Sequence, residues 1–191
     1  MLKTSRKNQI SDTAAQLFRE KGYAASSVRA LARKVGIEPA SIYSHVSSKE
    51  ELLNDICFSM ADKFFERLSK AIDTNDDAET ILKNAIKGHI LVITEDLDKS
   101  AVFFHDWKYL SEPMKSDFQI MRSNYESEFK KIISKGIEQG VFKENDVSFV
   151  VLTIFSALNW TNEWYVSGKS LTPEMIADKL SNLILNGIKN K

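Results

Sequence analysis

The chain has little that would stiffen, cross-link or anchor it. One cysteine, Cys57, in 191 residues rules out an intramolecular disulfide and suits a reducing cytoplasm. It stands among Leu53, Ile56 and Met60 and reads as a small packed hydrophobe, a redox sensor being the rival reading. Three prolines and seven glycines leave long uninterrupted stretches, which favours helices from end to end. No apolar run reaches the roughly 18 residues that span a bilayer, and Met1 to Ile10 lacks a signal-peptide core, so the expected location is cytoplasmic, with no membrane partner. Nucleophile elbow, glycine-rich phosphate loop and metal-spaced His/Cys cluster are all missing, which argues against an enzyme and for no cofactor and no metal.

Net charge is also missing, but only in the sum. Residues 1–50 hold nine Lys/Arg (Lys3, Arg6, Lys7, Arg19, Lys21, Arg29, Arg33, Lys34, Lys49) against four acids (Asp12, Glu20, Glu38, Glu50). Because the whole chain has 26 of each sign, the remainder is as acidic as the head is basic. A basic head on an acidic body is the electrostatic footprint of a DNA-binding module joined to a part with another task.

Within that head, Val28, Leu31, Ala32 and Val35 fall on one helical face, leaving Arg29, Arg33 and Lys34 outside. Gly36 supplies the left-handed residue that ends this helix, and Pro39 opens the next, where its missing N–H costs nothing. Ile42 and Val46, four apart, hold the second helix to the first, while the small and polar Ala40, Ser41, Ser44 and His45 face out, as a major groove requires. Either Ser47 with Glu50 or Ser48 with Glu51 forms a capping box for a long following helix.

These residues, Leu31-Ala32, Val35-Gly36-Ile37, Ser41-Ile42-Tyr43, His45, and Lys49 with Leu52, resemble the N-terminal domain of the TetR-type one-component transcription regulators. Ala40 stands where that family usually has glycine, Val46 where phenylalanine is usual, and Glu38 where a Ser or Thr cap is frequent. The resemblance implies an all-α fold of about nine helices. Residues 1–50 form a three-helix helix-turn-helix DNA-binding domain, residues 51–191 a helical effector-binding and dimerisation domain, and a helix over 48–72 links the two. It also implies DNA contacts from Ser27, Arg29, Pro39, Ala40, Ser41, Tyr43, Ser44, His45 and Lys49. Ser27 and Lys49, at or beside helix N-termini, are assigned to phosphates together with Tyr43 and His45, and Ala40, Ser41 and Ser44 to base edges.

Further along, Ile10, Ala14, Leu17 and Phe18 make a first helix ending at Gly22. Ile81 to Ile93, a segment Val102–Leu110, a long helix after Pro113 closed by Gly140, a helix capped by Asn145 or Asp146, and a last one opened by Thr172-Pro173 follow. The run Phe149 to Phe155 is apolar on all sides and needs cover on every face. Family members pair through their last two long helices, so a homodimer on a palindromic double-stranded operator is expected; the centre of a monomeric bundle is the other reading.

The family's small-molecule response points to a hydrophobic effector, with His89, Phe103, Trp107, Met121, Tyr125, Phe155, Asn159 and Trp160 as pocket candidates. A second, shorter resemblance, Asn159-Trp160, Trp164 to Gly168 and Leu171 to Ala177, is to the TetR subgroup that senses acyl-coenzyme A thioesters, for which Lys108, Lys115 and Arg122 are candidate phosphate partners. The function these features imply is a ligand-responsive repressor; a constitutive DNA-binding regulator without an effector is the alternative.

Overall fold

A computed structural model describes residues 6–190. It contains ten α-helical segments: α1 Arg6–Lys21, α2 Val28–Val35, α3 Pro39–Ile42, α4 Lys49–Ile72, α5 Ala78–Glu95, α6 Leu97–His105, α7 Met114–Glu138, α8 Val147–Asn159, α9 Thr161–Trp164 and α10 Pro173–Ile188. A single 3-10 turn, Trp107–Tyr109, follows α6, and there is no β-strand among the described residues. The fold is all-α, and none of these helices is long and apolar enough to cross a membrane.

The chain forms two compact units. The first holds the residues up to Ala61 together with Asp96–Gln119; the second holds Asp62–Glu95 and the chain from Ile120 onward. This partition differs from a simple cut at residue 50, because α6 packs on α1 and is pinned there by charge: Arg19 pairs with Asp98 at 3.0 Å, and Lys99 with Asp12. Linear sequence carries no signal for such a return.

Local signals account for the helix ends. Gly22, Gly36 and Gly140 have φ of 79°, 76° and 70°, the left-handed conformation that L side chains resist. At the start of α4 Ser48 is the cap: its Oγ accepts from the Glu51 N–H at 3.0 Å, while the Glu51 carboxylate reaches back past it to accept from the Ser47 N–H and hydroxyl, both at 2.6 Å, a capping box shifted by one residue on its return arm. Asp146 caps α8 by accepting from the Phe149 N–H, and Thr172 caps α10 by accepting from the Met175 N–H. Cys57 is fully buried and its thiol is pushed up to about 12, which keeps it a protonated packing group.

In the second unit α5 lies against α10 and is buried along most of its length. His89, on α5, is buried among rings: Phe64 at 4.7 Å, Phe155 at 5.7 Å and Tyr125 at 5.8 Å between centroids. Its Nδ1 lies 3.1 Å from the Tyr125 hydroxyl and its Nε2 3.0 Å from Asn159 Oδ1. Both nitrogens are therefore partnered, as burial of a polar ring demands. Burial depresses its pKa to about 4, the hydrogen bond to Asn159 opposing the shift only in part.

A folded-state pKa below the unfolded value means that the unfolded chain binds the extra proton first. Stability from this group is therefore intact above about pH 6.5 and is lost as pH falls towards 4, by up to about 3 kcal/mol. Denaturant unfolding of wild type and His89→Gln between pH 7.5 and 4.5 should show that extra loss in wild type alone; parallel pH profiles would contradict a neutral buried imidazole.

Candidate nucleic-acid interface

The recognition segment is short. α3 is one turn of helix, and a single turn has too few hydrogen bonds to persist unaided. It is held because Ile42 and Val46 are buried and α3 packs on α2, whose Leu31 and Ala32 are buried in turn as α2 packs on α1. Ser27 fixes the start of α2 by accepting from the Ala30 N–H at 3.2 Å, and Gly36 lets the Ile37 N–H return to the Ala32 carbonyl at 3.0 Å. Pro39 takes the first helical position after Glu38, whose side chain makes no capping hydrogen bond.

With Ile42 and Val46 turned inward, the rest of the segment faces out. Ser27, Arg29, Pro39, Ala40, Ser41, Tyr43, Ser44 and His45 are all exposed, Tyr43 at 57 % despite its size. A ring left that open is not packed at the edge of the core. Ser44 Oγ–H donates to the Ser41 carbonyl at 2.8 Å, so its lone pairs remain and it presents an acceptor. Several cations of the head are already paired: Lys34 with Glu20 at 2.7 Å, Lys7 with Asp55 at 2.8 Å, and Arg19 with Asp98. Among the described residues Arg29 and Arg33 form no ion pair, which leaves the outer face of α2 positive; Lys3 lies outside the described residues.

Lys49 is placed differently from a simple phosphate hook. Its ammonium donates to the Tyr23 carbonyl at 2.9 Å and the Ser26 carbonyl at 3.0 Å, and lies 4.1 Å from the centre of the Tyr23 ring. The same tyrosine stacks at 5.4 Å on Tyr109, and its backbone N–H donates to the buried Asp106 carboxylate. Burial raises the Asp106 pKa, and that N–H together with nearby His105, Lys108 and Lys49 opposes the rise. Ser111 donates to Glu50 beside it. Lys49 thus clamps the α1–α2 loop to α4 through two of its three N–H groups. Nothing local marks Tyr23 and Asp106 as a hub, since Lys49, Tyr109 and Asp106, the partners that gather on Tyr23, lie 26 or more residues from it.

The residues expected to line a pocket fall into separate groups. His89, Tyr125, Phe155 and Asn159 meet in the second unit, where Phe65 at 5.4 Å from Tyr125 and Phe129 at 4.8 Å from Phe155 complete the cluster. Phe64 and Phe65 of α4 and Phe129 of α7 stand outside the expected set, because only the packing of α4, α5, α7 and α8 together brings them to His89, Tyr125 and Phe155. Phe103 and Trp107 belong to the first unit, packed on Phe118 at 5.2 and 5.9 Å. Met121 is half-buried and Trp160 exposed at 64 %.

Known proteins share both sequence and fold with this chain. The profile described as bacterial regulatory proteins, tetR family, matches residues 10–56, and that described as tetracyclin repressor-like, C-terminal domain, matches residues 75–188. The HTH-type transcriptional repressor KstR2 of Mycobacterium tuberculosis is 26 % identical over 187 residues, covering 96 % of this chain and 93 % of that one. Its structure, a ketosteroid transcriptional regulator, superposes with a TM-score of 0.94 at 25 % identity over 99 % and 97 % of the two chains. PfmR, a TetR family regulator from Thermus thermophilus, gives a TM-score of 0.85 at 31 % identity over 95 % and 100 %. AibR, solved with isovaleryl coenzyme A and operator DNA, shares the fold, with a TM-score of 0.83 at 24 % identity over 94 % and 97 %. Two matched profiles over an all-helical fold with an outward-facing recognition segment lead to one conclusion: the chain belongs to the TetR family, as a DNA-binding transcriptional regulator and not an enzyme.

Proposed function

We propose that this regulator is a repressor that binds a palindromic operator as a homodimer and is released by a hydrophobic effector, an acyl-coenzyme A thioester. The observation that carries the operator half is the exposed row Ala40, Ser41, Tyr43, Ser44 and His45 over the buried Ile42 and Val46. Ala40 offers a methyl to a thymine methyl, and Ser44 an acceptor to an exocyclic amine. Ser27, Arg29, Tyr43, His45 and the third N–H of Lys49 serve phosphates, with Pro39 fixing the entry of the segment. The relatives named as repressors support the sign of regulation.

Support for a dimer comes from α8 and α10. Val150, Val151, Ile154 and Leu158 are buried, yet Phe149 at 69 % and Leu152 at 55 % remain exposed on another face of α8, with Leu183 at 73 % on α10. Large side chains grouped on helices that neighbour each other form a patch that water disfavours and a second copy would cover. One recognition segment reads too few base pairs for selectivity, whereas a two-fold pair doubles the reading. The effector class is supported by the aromatic cluster around His89 and by the resemblance at Asn159-Trp160 and Trp164 to Gly168; AibR shows that this fold accommodates an acyl-coenzyme A. Release then follows if the thioester favours a spacing of recognition segments that no longer matches successive major grooves.

With an operator selected from random duplexes, Tyr43→Ala should weaken binding by roughly 1 kcal/mol in fluorescence anisotropy with helical content unchanged; equal affinity at matched salt would remove Tyr43 from the interface. Lys49→Ala should lower the salt slope by about one per half-site and also cost roughly 1 kcal/mol of stability, and a stability loss with an unchanged slope would leave Lys49 as a clamp alone. Sedimentation of Phe149→Glu/Leu183→Glu should find a folded monomer with little operator affinity; a persistent dimer would place the pairing surface elsewhere. Trp107, Trp160 and Trp164 report ligand by intrinsic fluorescence, so a series of acyl-coenzyme A thioesters from acetyl to dodecanoyl should give saturable, chain-length-dependent changes. A flat response across the series would sink the thioester reading.

A further inference from the structure

The polar core of the second unit has a direction. Asn159 Oδ1 can only accept, so His89 Nε2, 3.0 Å away, carries the proton. In a neutral imidazole Nδ1 is then a lone pair, and Tyr125, 3.1 Å from it, must donate its hydroxyl proton. The hydrogen bonds run from Tyr125 through His89 to Asn159, and they lock the Asn159 amide with its Nδ2 turned away from the imidazole. No described residue accepts a hydrogen bond from that Nδ2, and the side chain is half-buried at the C-terminal end of α8. One turn before it on the same face of α8 stands the half-buried ring of Phe155, which packs on the buried Phe129 and on His89. An apolar triad of the same volume would pack there without any need for hydrogen bonds, so stability alone gives no reason for the polar one. What the triad adds is a fixed donor at the edge of an apolar cluster, the arrangement by which a mostly hydrophobic site orients one polar atom of its ligand.

We propose that Asn159 Nδ2 is the specificity-determining donor of the effector site, reading the carbonyl oxygen of a thioester whose acyl chain lies on the half-buried Phe155, with His89 and Tyr125 as positioning residues. This rests on the acyl-coenzyme A reading above and adds the atom that is recognised. Because burial keeps His89 uncharged through the neutral range, the orientation of the amide does not change with pH there. A site that hydrogen-bonds a ligand oxygen discriminates strongly against the analogue lacking it, since the buried donor is then left unmet.

The test compares two ligands by isothermal titration calorimetry: the best-binding thioester of the acetyl-to-dodecanoyl series and its S-alkyl coenzyme A thioether, which has the same chain and no carbonyl. Wild type should prefer the thioester by roughly tenfold or more. In Asn159→Leu the thioester should fall to the thioether's affinity while the thioether is unchanged. Asn159→Asp keeps an acceptor for His89 Nε2 and removes the donor; it should lose the same preference and serves if the leucine variant does not fold. Equal wild-type affinity for both ligands, or a preference that survives in the folded variants, overturns the proposal and leaves the effector class standing. Binding of neither ligand by wild type overturns both together.

Discussion

Burial of Ile42 and Val46, with α3 seated on α2, is the constraint on which the DNA-facing surface depends. A single helical turn and the turn after it have no stability of their own, and yet they must present a fixed row of side chains. The two apolar anchors do this by facing inward four residues apart, which obliges Ala40, Ser41, Tyr43, Ser44 and His45 to face outward. Everything else in the head serves that seat: the left-handed Gly36 sets the turn, the Ser27 and Ser48 caps set the flanking helices, and α1 backs α2.

Charge is used in two ways in the first unit. Arg29 and Arg33 of α2 stay open, whereas Lys34, Lys7, Arg19 and Lys99 are tied to carboxylates and Lys49 to two carbonyls and a ring. Surface pairs of this kind contribute little each to stability, but Arg19–Asp98 and Lys99–Asp12 join α1 to α6, and Asp106, Tyr109 and Ser111 reach Tyr23 and Glu50 beyond them. A displacement of the segment 96–111 would therefore be felt at the α1–α2 loop and the start of α4. The second unit uses polarity differently. There a neutral histidine, a tyrosine and an asparagine satisfy one another inside aromatic packing, and direction rather than charge is what they contribute.

Legibility in the sequence followed the range of the interaction. The stripe Val28, Leu31, Ala32, Val35, the stops at Gly22, Gly36 and Gly140, and the caps at Asp146 and Thr172 are all signals within a few residues, and each element appears where its signal places it. Phe149 to Phe155 was legible as apolar all round, but the division into a buried face and an exposed one depends on what α5 and α10 cover. Lys49 was legible as a cation beside a helix N-terminus; that two of its three N–H groups are engaged by Tyr23 and Ser26 was not, because those partners are 26 and 23 residues distant.

The sequence by itself determined the helices, their ends and the inward and outward faces of the recognition segment, because each rests on periodicity and backbone chemistry read over one or two turns. It also determined the family, through motifs confined to a contiguous stretch. Only the tertiary structure decided that α6 joins the N-terminal unit, that Phe103 and Trp107 pack apart from His89, Tyr125, Phe155 and Asn159, and that the hydrogen bonds of His89 give Asn159 a direction. Those outcomes depend on which helices touch, and contact between residues 36 or 70 positions apart leaves no mark on the local pattern of either.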